Sequence, residues 1–246
     1  VPREFTWTDS DWQGVPRQSL VIYELHIGAF TEAGTFRAAA ARLDELLDLG
    51  ITAIELMPVA DCAGRWNWGY DGVCLFAPNR NYGTTDDLKF LINAAHAKGL
   101  AVILDVVYNH LGPEGNYLGE AGPYLSNRHS TAWGSAPNFD DAEYGSGLRR
   151  FFIANAMNWL DEYHFDGLRV DAIHCMKDDS ECHVITELSQ VVRSWSSLTK
   201  RPAMLIAETN VFDPEMLSPV SNGGSGFDAQ WCDDFLHSVF AVVRPG

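Results

Sequence analysis

Several ionisable side chains close apolar runs in this 246-residue sequence. His26 follows VIYEL, Asp105 with Asn109 and His110 ends AVILDVVYNH, Arg169 and Asp171 lie in GLRVDA, and Glu208 follows MLIA. Taking such groups out of water is costly unless they are paired, so their recurrence at equivalent points needs a reason, and catalysis is the natural one. Arg169 and Asp171 are two residues apart on a strand-like run, so they project to one face. A guanidinium beside a carboxylate favours the anion, which suits Asp171 as a nucleophile. Glu208 follows an apolar run, where a carboxyl tends to keep its proton and can give it to a leaving oxygen. Two carboxyls in opposite protonation states, about 5 Å apart, are what a retaining glycosidase requires. Taken singly, each residue also has a structural reading: Arg169 and Asp171 as an ion pair, Asp105 as a turn cap, His110 as a loop histidine. Their common position at strand ends favours chemistry.

Trp66, Trp68 and Tyr70 in RWNWGYDG, with Tyr82, suggest flat platforms on which sugar rings stack. The alternative is loop packing, since Trp and Tyr are largely buried on average.

Strand-like runs at 21–28, 53–59, from 101, at 167–172, 203–209 and 227–231 alternate with helical patterns. Leu43, Leu46 and Leu47 share a helical face before Gly50, and Leu88, Leu91, Ile92 and Ala95 share one over 86–98. Further helices are expected at about 147–163 and near 181–197. Near-continuous apolar strands separated by helices predict an α/β fold with a parallel sheet covered on both faces. An open doubly wound sheet and a closed barrel both satisfy that pattern. The long connections 60–85 and 109–146 follow strand C-terminal ends, the catalytic side of a barrel. No glycine-rich phosphate fingerprint follows the first strand, which counts against a dinucleotide or nucleotide site.

The 33 acidic and 17 basic side chains give a net charge of -16, which repels phosphate backbones and anionic lipid but not a neutral substrate. Nucleic acid and membrane are therefore not expected partners. The 46% apolar content supports a buried core. No apolar stretch approaches 18 residues, and the first residues lack a secretory pattern. Five scattered cysteines without a C-x-x-C pair point to reduced thiols and a cytoplasmic protein. His174, Cys175, Cys182 and His183 do not have the spacing of a common zinc site, so no metal is expected.

DVVYNH at 105–110, GLRVDAIH at 167–174 and IAET at 206–209 resemble three of the four core motifs of the alpha-amylase family, in the same order. The resemblance implies a parallel (β/α)8 TIM barrel of which about the first six β/α units are present. Residues 1–20 would lead into a partial catalytic barrel over 21–246, with a long loop insertion at about 109–146. It further implies Asp171 as nucleophile, Glu208 as general acid/base and Arg169 as the partner of Asp171. Asp105, His110 and His174 would bind hydroxyls of the reacting glucose, and Tyr70 would stack beneath it. Asn109 corresponds to a structural or calcium-related position, and no cofactor is implied. The family's fourth motif, with its transition-state-stabilising aspartate, is absent from these residues, so this stretch alone is expected to be inactive. Asp233 and Asp234 lack that motif's context.

WGYDGVCLFAPNRNYG, DVVYNHLGPEGNYL, EYHFDGLRVDAIH and FDAQWCDDFLH resemble one branch of the family. Its substrate is malto-oligosyltrehalose, an α-glucan oligosaccharide, and it hydrolyses the α-1,4 bond next to the terminal trehalose. The alternatives are a glycogen branching or debranching relative and a catalytically dead glucan-binding barrel.

Overall fold

The computed structural model describes residues 5–210 and 212–244. The apolar runs form strands β1 (Ile22–Leu25) and β2 (Ala53–Leu56), then the short pair β3 (Ala60–Asp61) and β4 (Cys74–Pro78). There follow β5 (Ala101–Val106), the hairpin strands β6 (Leu125–Thr131) and β7 (Gly134–Pro137), β8 (Gly167–Val170), β9 (Met204–Thr209) and β10 (Ala229–Cys232). Helices are α1 (Ile27–Phe30), α2 (Phe36–Ala40), α3 (Leu43–Asp48), α4 (Thr85–Ala97), α5 (Leu118–Ala121), α6 (Gly145–Met157), α7 (Val184–Thr199), α8 (Pro214–Leu217) and α9 (Asp233–Val243). The helix expected around Leu43 is divided into α2 and α3, and that expected over 147–163 is α6 followed by a π-helical turn at Asn158–Glu162. No described helix is long and apolar enough to cross a membrane.

Six strands form one sheet in the order β1-β2-β5-β8-β9-β10, every pair parallel. This is the strand sequence of a partial (β/α)8 barrel, since each strand pairs with the next one along the main sheet. α4 shows how a crossover is specified. Thr84 and Asp87 form a capping box, with Thr84 Oγ1 accepting from Asp87 N at 3.2 Å and Asp87 Oδ2 accepting from Thr84 N at 2.9 Å. Leu88, Leu91 and Ile92 are fully buried against the outer face of the sheet, each contributing about 2 kcal/mol. Gly99, at φ +80°, then turns the chain into β5.

The strands alternate sharply between faces. Leu25, Ile54, Leu56, Val102, Leu104, Leu168, Val170 and Leu205 face the helices. On the other face Ala53, Ala101, Ile103 and Ile206 form a small second core with Trp12, Val15 and Leu20 from the N-terminal segment. That segment is fastened below the sheet. Trp12 Nε1 donates to Asp166 Oδ1 at 2.6 Å, and His96 bridges Asp9 Oδ2 (2.8 Å) and Asp166 Oδ2 (2.9 Å) through its two ring nitrogens. His164 Nδ1 also donates to Asp9, at 2.8 Å. The same inner face, further along the strands, carries Glu55, Asp105 and Arg169.

Candidate active site

Register places the polar groups together. Asp105 on β5 lies opposite Arg169 on β8, and Asp171 continues that strand with its N–H on Val106 O at 3.0 Å. Glu208, on β9, is the next strand over. Arg169 Nη1 donates to Asp105 Oδ2 at 2.8 Å and to Asp171 Oδ1 at 2.9 Å, and its Nη2 lies 3.9 Å from Glu208 Oε2. One guanidinium thus faces three carboxylates.

The loop after β2 delivers Tyr70, whose hydroxyl donates to Asp105 Oδ2 at 2.9 Å. Two glycines permit this approach. A Cβ on Gly69, at φ +100°, would fall 2.2 Å from Pro58 O, and one on Gly112 would fall 2.0 Å from Asp71 O. The WGYDG and NHLG segments therefore pack backbone to backbone, which sets Tyr70 beside Asp105.

Asn109 is fully buried, and its Nδ2 donates to both the backbone O and Oδ2 of Asp171, each at 2.9 Å. Its Oδ1 accepts from His110 Nδ1 at 2.5 Å. Its place is beside the proposed nucleophile. Ala172 adopts the left-handed conformation, φ 38° and ψ 50°, and its N–H points to Glu208 Oε2 at 2.6 Å. A non-glycine residue there costs about 1–2 kcal/mol, a strain of the kind that gathers at functional sites.

Burial pushes Asp105 up to about 7, against the pull of Arg169, with Asp171 adding to the rise. Burial would lower Arg169, but Asp105 and Asp171 more than offset it and hold it well above its usual range. Tyr70 is raised by burial and by Asp105, so it remains a donor. Burial lowers His110 despite Asp171, so it is neutral.

The structure thus connects Tyr70, Asp105, Asn109, His110, Arg169, Asp171 and Glu208, while His174, exposed on the turn Ile173–Cys175 that follows Asp171, makes no side-chain hydrogen bond to any of them. Glu208 does not have the apolar wall expected of it, because a backbone N–H and a guanidinium approach the same oxygen. Among the aromatics, Trp66 and Trp68 are 82% and 73% exposed and line a cavity of about 360 Å³ with His26 and Met57. Tyr82 is buried and its hydroxyl meets His26 Nε2 at 3.1 Å, so it packs the loop.

Two residues have no local signal in the sequence. Trp133, on the β6–β7 hairpin, stacks on His110 with ring centroids 4.9 Å apart and remains 53% exposed. Glu55 lies hidden inside the apolar run AIELMPV. All five cysteines are free, and His174, Cys175, Cys182 and His183 form no ligand cluster among the described residues. His129, Asp140 and Asp179 do come together, but Arg128 Nη2 already lies 3.0 Å from Asp179 Oδ2 and supplies a cation there.

A half-barrel with carboxylates gathered at the C-terminal ends of adjacent strands defines the class, and the catalytic-domain profile of alpha-amylase matches residues 1–144: the chain belongs to the alpha-amylase family. Within it, the chain is 46% identical over 243 residues to the malto-oligosyltrehalose trehalohydrolase of Saccharolobus solfataricus, covering 99% of this chain and 42% of that one. It is 47% identical to the protein of that name from Rhizobium sp., covering 98% and 40%. The chain therefore spans about two fifths of the length of these relatives. A crystal structure of the alpha-amylase of Geobacillus thermoleovorans complexed with acarbose superposes with a TM-score of 0.72 at 23% identity, covering 91% of this chain and 53% of that one, a likeness of fold.

Proposed function

We propose that the protein is a retaining glycoside hydrolase that cleaves the α-1,4 bond next to the terminal trehalose of malto-oligosyltrehalose and releases trehalose. The observation that carries the chemistry is the pair Asp171 and Glu208, held on adjacent strands around Arg169. Asp171 has both oxygens fixed by cationic or amide donors and serves as the anion that attacks the anomeric carbon. Glu208 has Oε2 anchored on the Ala172 N–H, which leaves Oε1 to carry the proton to the departing glycosidic oxygen. Water then enters on the face the leaving sugar vacates, Glu208 takes its proton, and the glycosyl–Asp171 ester is hydrolysed with retention. Asp105, His110, Tyr70 and His174 are assigned to the reacting glucose. Specificity for the trehalose end rests on similarity to the named relatives across nearly the whole chain.

The test uses the full-length protein with malto-oligosyltrehalose and with plain malto-oligosaccharide. Trehalose should be the faster product, and Asp171→Asn and Glu208→Gln should each lower kcat by at least about 10³-fold while KM changes little. New α-1,6 branches from amylose would instead support a branching enzyme. A relative so named in Myxococcus xanthus is 31% identical, with 96% of this chain and 37% of that one covered.

A further inference from the structure

Glu55 sits in the middle of β2, is 0% exposed, and neither of its carboxylate oxygens has a hydrogen-bond partner among the described residues. It points to the inner face, with Glu24 of β1 and Ile103 of β5 in register beside it. Asp105 is two residues beyond Ile103 on that same face. With parallel strands about 4.8 Å apart and a rise of about 3.3 Å per residue, this diagonal relation spans about 8 Å between Cα atoms, within reach of a glutamate side chain. Asp105 Oδ1 is likewise buried without a partner, as is Arg169 Nε.

Charge decides the state of this group. The charged or titratable groups bearing on it are Glu24 from β1, Asp105 from β5 and Arg169 from β8. Arg169 is already committed to Asp105 and Asp171. A second buried anion would stand beside Asp105 with no cation of its own, a cost relieved by keeping the proton. Burial pushes Glu55 up to about 8, with Asp105 adding to the rise and Arg169 opposing it. A neutral carboxylic acid has one O–H to donate, and Asp105 Oδ1 is an acceptor that Tyr70 and Arg169 leave free.

We propose that Glu55 is a positioning residue: an un-ionised carboxyl that donates to Asp105 from beneath, holds the Asp105–Arg169–Asp171 chain in place, and releases it when it ionises in alkali. The inference rests on the hydrolase reading for its kinetic consequences but not for the protonation state. In the full-length protein, infrared difference spectra of wild type against Glu55→Gln at pH 7.5, above the value of Asp105 and below that of Glu55, should show a protonated-carboxyl C=O band that is lost in the variant. This readout needs no substrate, so it succeeds or fails separately from the assigned activity.

Kinetically, Glu55→Leu should lower kcat about tenfold or more and raise KM as well, because loosening Asp105 disturbs both the glucose it is assigned to hold and, through Arg169, Asp171. Glu55→Gln keeps a donor and cannot ionise, so it should recover most of that loss and extend the alkaline limb of the kcat profile to higher pH. Absence of the band, an alkaline limb in Glu55→Gln that coincides with wild type, or equal kcat in Glu55→Leu and wild type would each overturn the proposal. If Glu55→Leu does not fold, the spectrum and the profile of Glu55→Gln decide.

Discussion

Asn109 shows how a neutral side chain can govern a charged one. Its amide makes two bonds to Asp171 across 62 residues of sequence, and its oxygen fixes the His110 ring. A hydrogen bond to a charged group is worth about 1.5–3 kcal/mol, so Asn109→Ala should reduce kcat roughly 10- to 100-fold, with KM nearly unchanged. Steady-state kinetics on malto-oligosyltrehalose provide the check, and a loss confined to KM would place Asn109 in substrate binding instead. The i,i+2 spacing made the shared face of Arg169 and Asp171 legible in sequence, because period two is a local property of any strand. The role of Asn109 was not, since nothing local says that the turn after β5 reaches the end of β8. Glu208 misled for a related reason. The run MLIA describes its own strand, whereas its surroundings come from Arg169 and the left-handed Ala172 on β8 and the turn that follows it.

At the scale of elements, apolar runs bounded by Gly50 and Gly99 gave strands and helices their places, since burial on both faces leaves a continuous signal. That same continuity hides Glu55, because one acidic residue inside an apolar run gives no local sign of what it meets. Nor does it show that, within the N-terminal lead-in, Trp12, Val15 and Leu20 pack on the inner face and Asp9 fastens the segment to His96 and His164. This clasp should depend on pH. His96 meets a carboxylate at each ring nitrogen, so both nitrogens donate and the ring is charged. Burial opposes that charge, but Asp166 and Asp9 overcome it and raise His96 above its ordinary value. His164 is lowered by burial and shares Asp9 as a neutral donor. Burial would raise Asp9, yet the two histidines hold it down to about 2. The His96 contribution is therefore complete below about pH 6.5 and is lost as pH rises through the elevated value; that of Asp9 is present above about pH 4 and is lost as pH falls toward 2. The thermal penalty of His96→Gln in the full-length protein should accordingly be larger at pH 6 than at pH 9. Equal penalties at the two pH values would mean that His96 is neutral in the clasp.

For the whole molecule, the net charge of -16 is compatible with the proposed neutral substrate and leaves association to the apolar surface. That surface is uneven. α9 exposes Phe235 at 76%, Leu236 at 61%, Phe240 at 56% and Val242 at 81%, whereas α4 buries its apolar stripe against the sheet. The sheet also has two edges, β1 and β10, where a closed barrel has none. Exposed strand edges and a contiguous apolar helix face both promote association between copies. Residues 1–246 produced alone should therefore self-associate and show no trehalose release. The same residues within a chain of the length of the Saccharolobus solfataricus relative should be monodisperse and active. Size-exclusion chromatography with light scattering, run beside a trehalose assay on both proteins, makes the comparison. A soluble monomer of the short form with comparable kcat would show that Asp171, Glu208 and the groups around Arg169 suffice for turnover, and that the open sheet is stable without further strands.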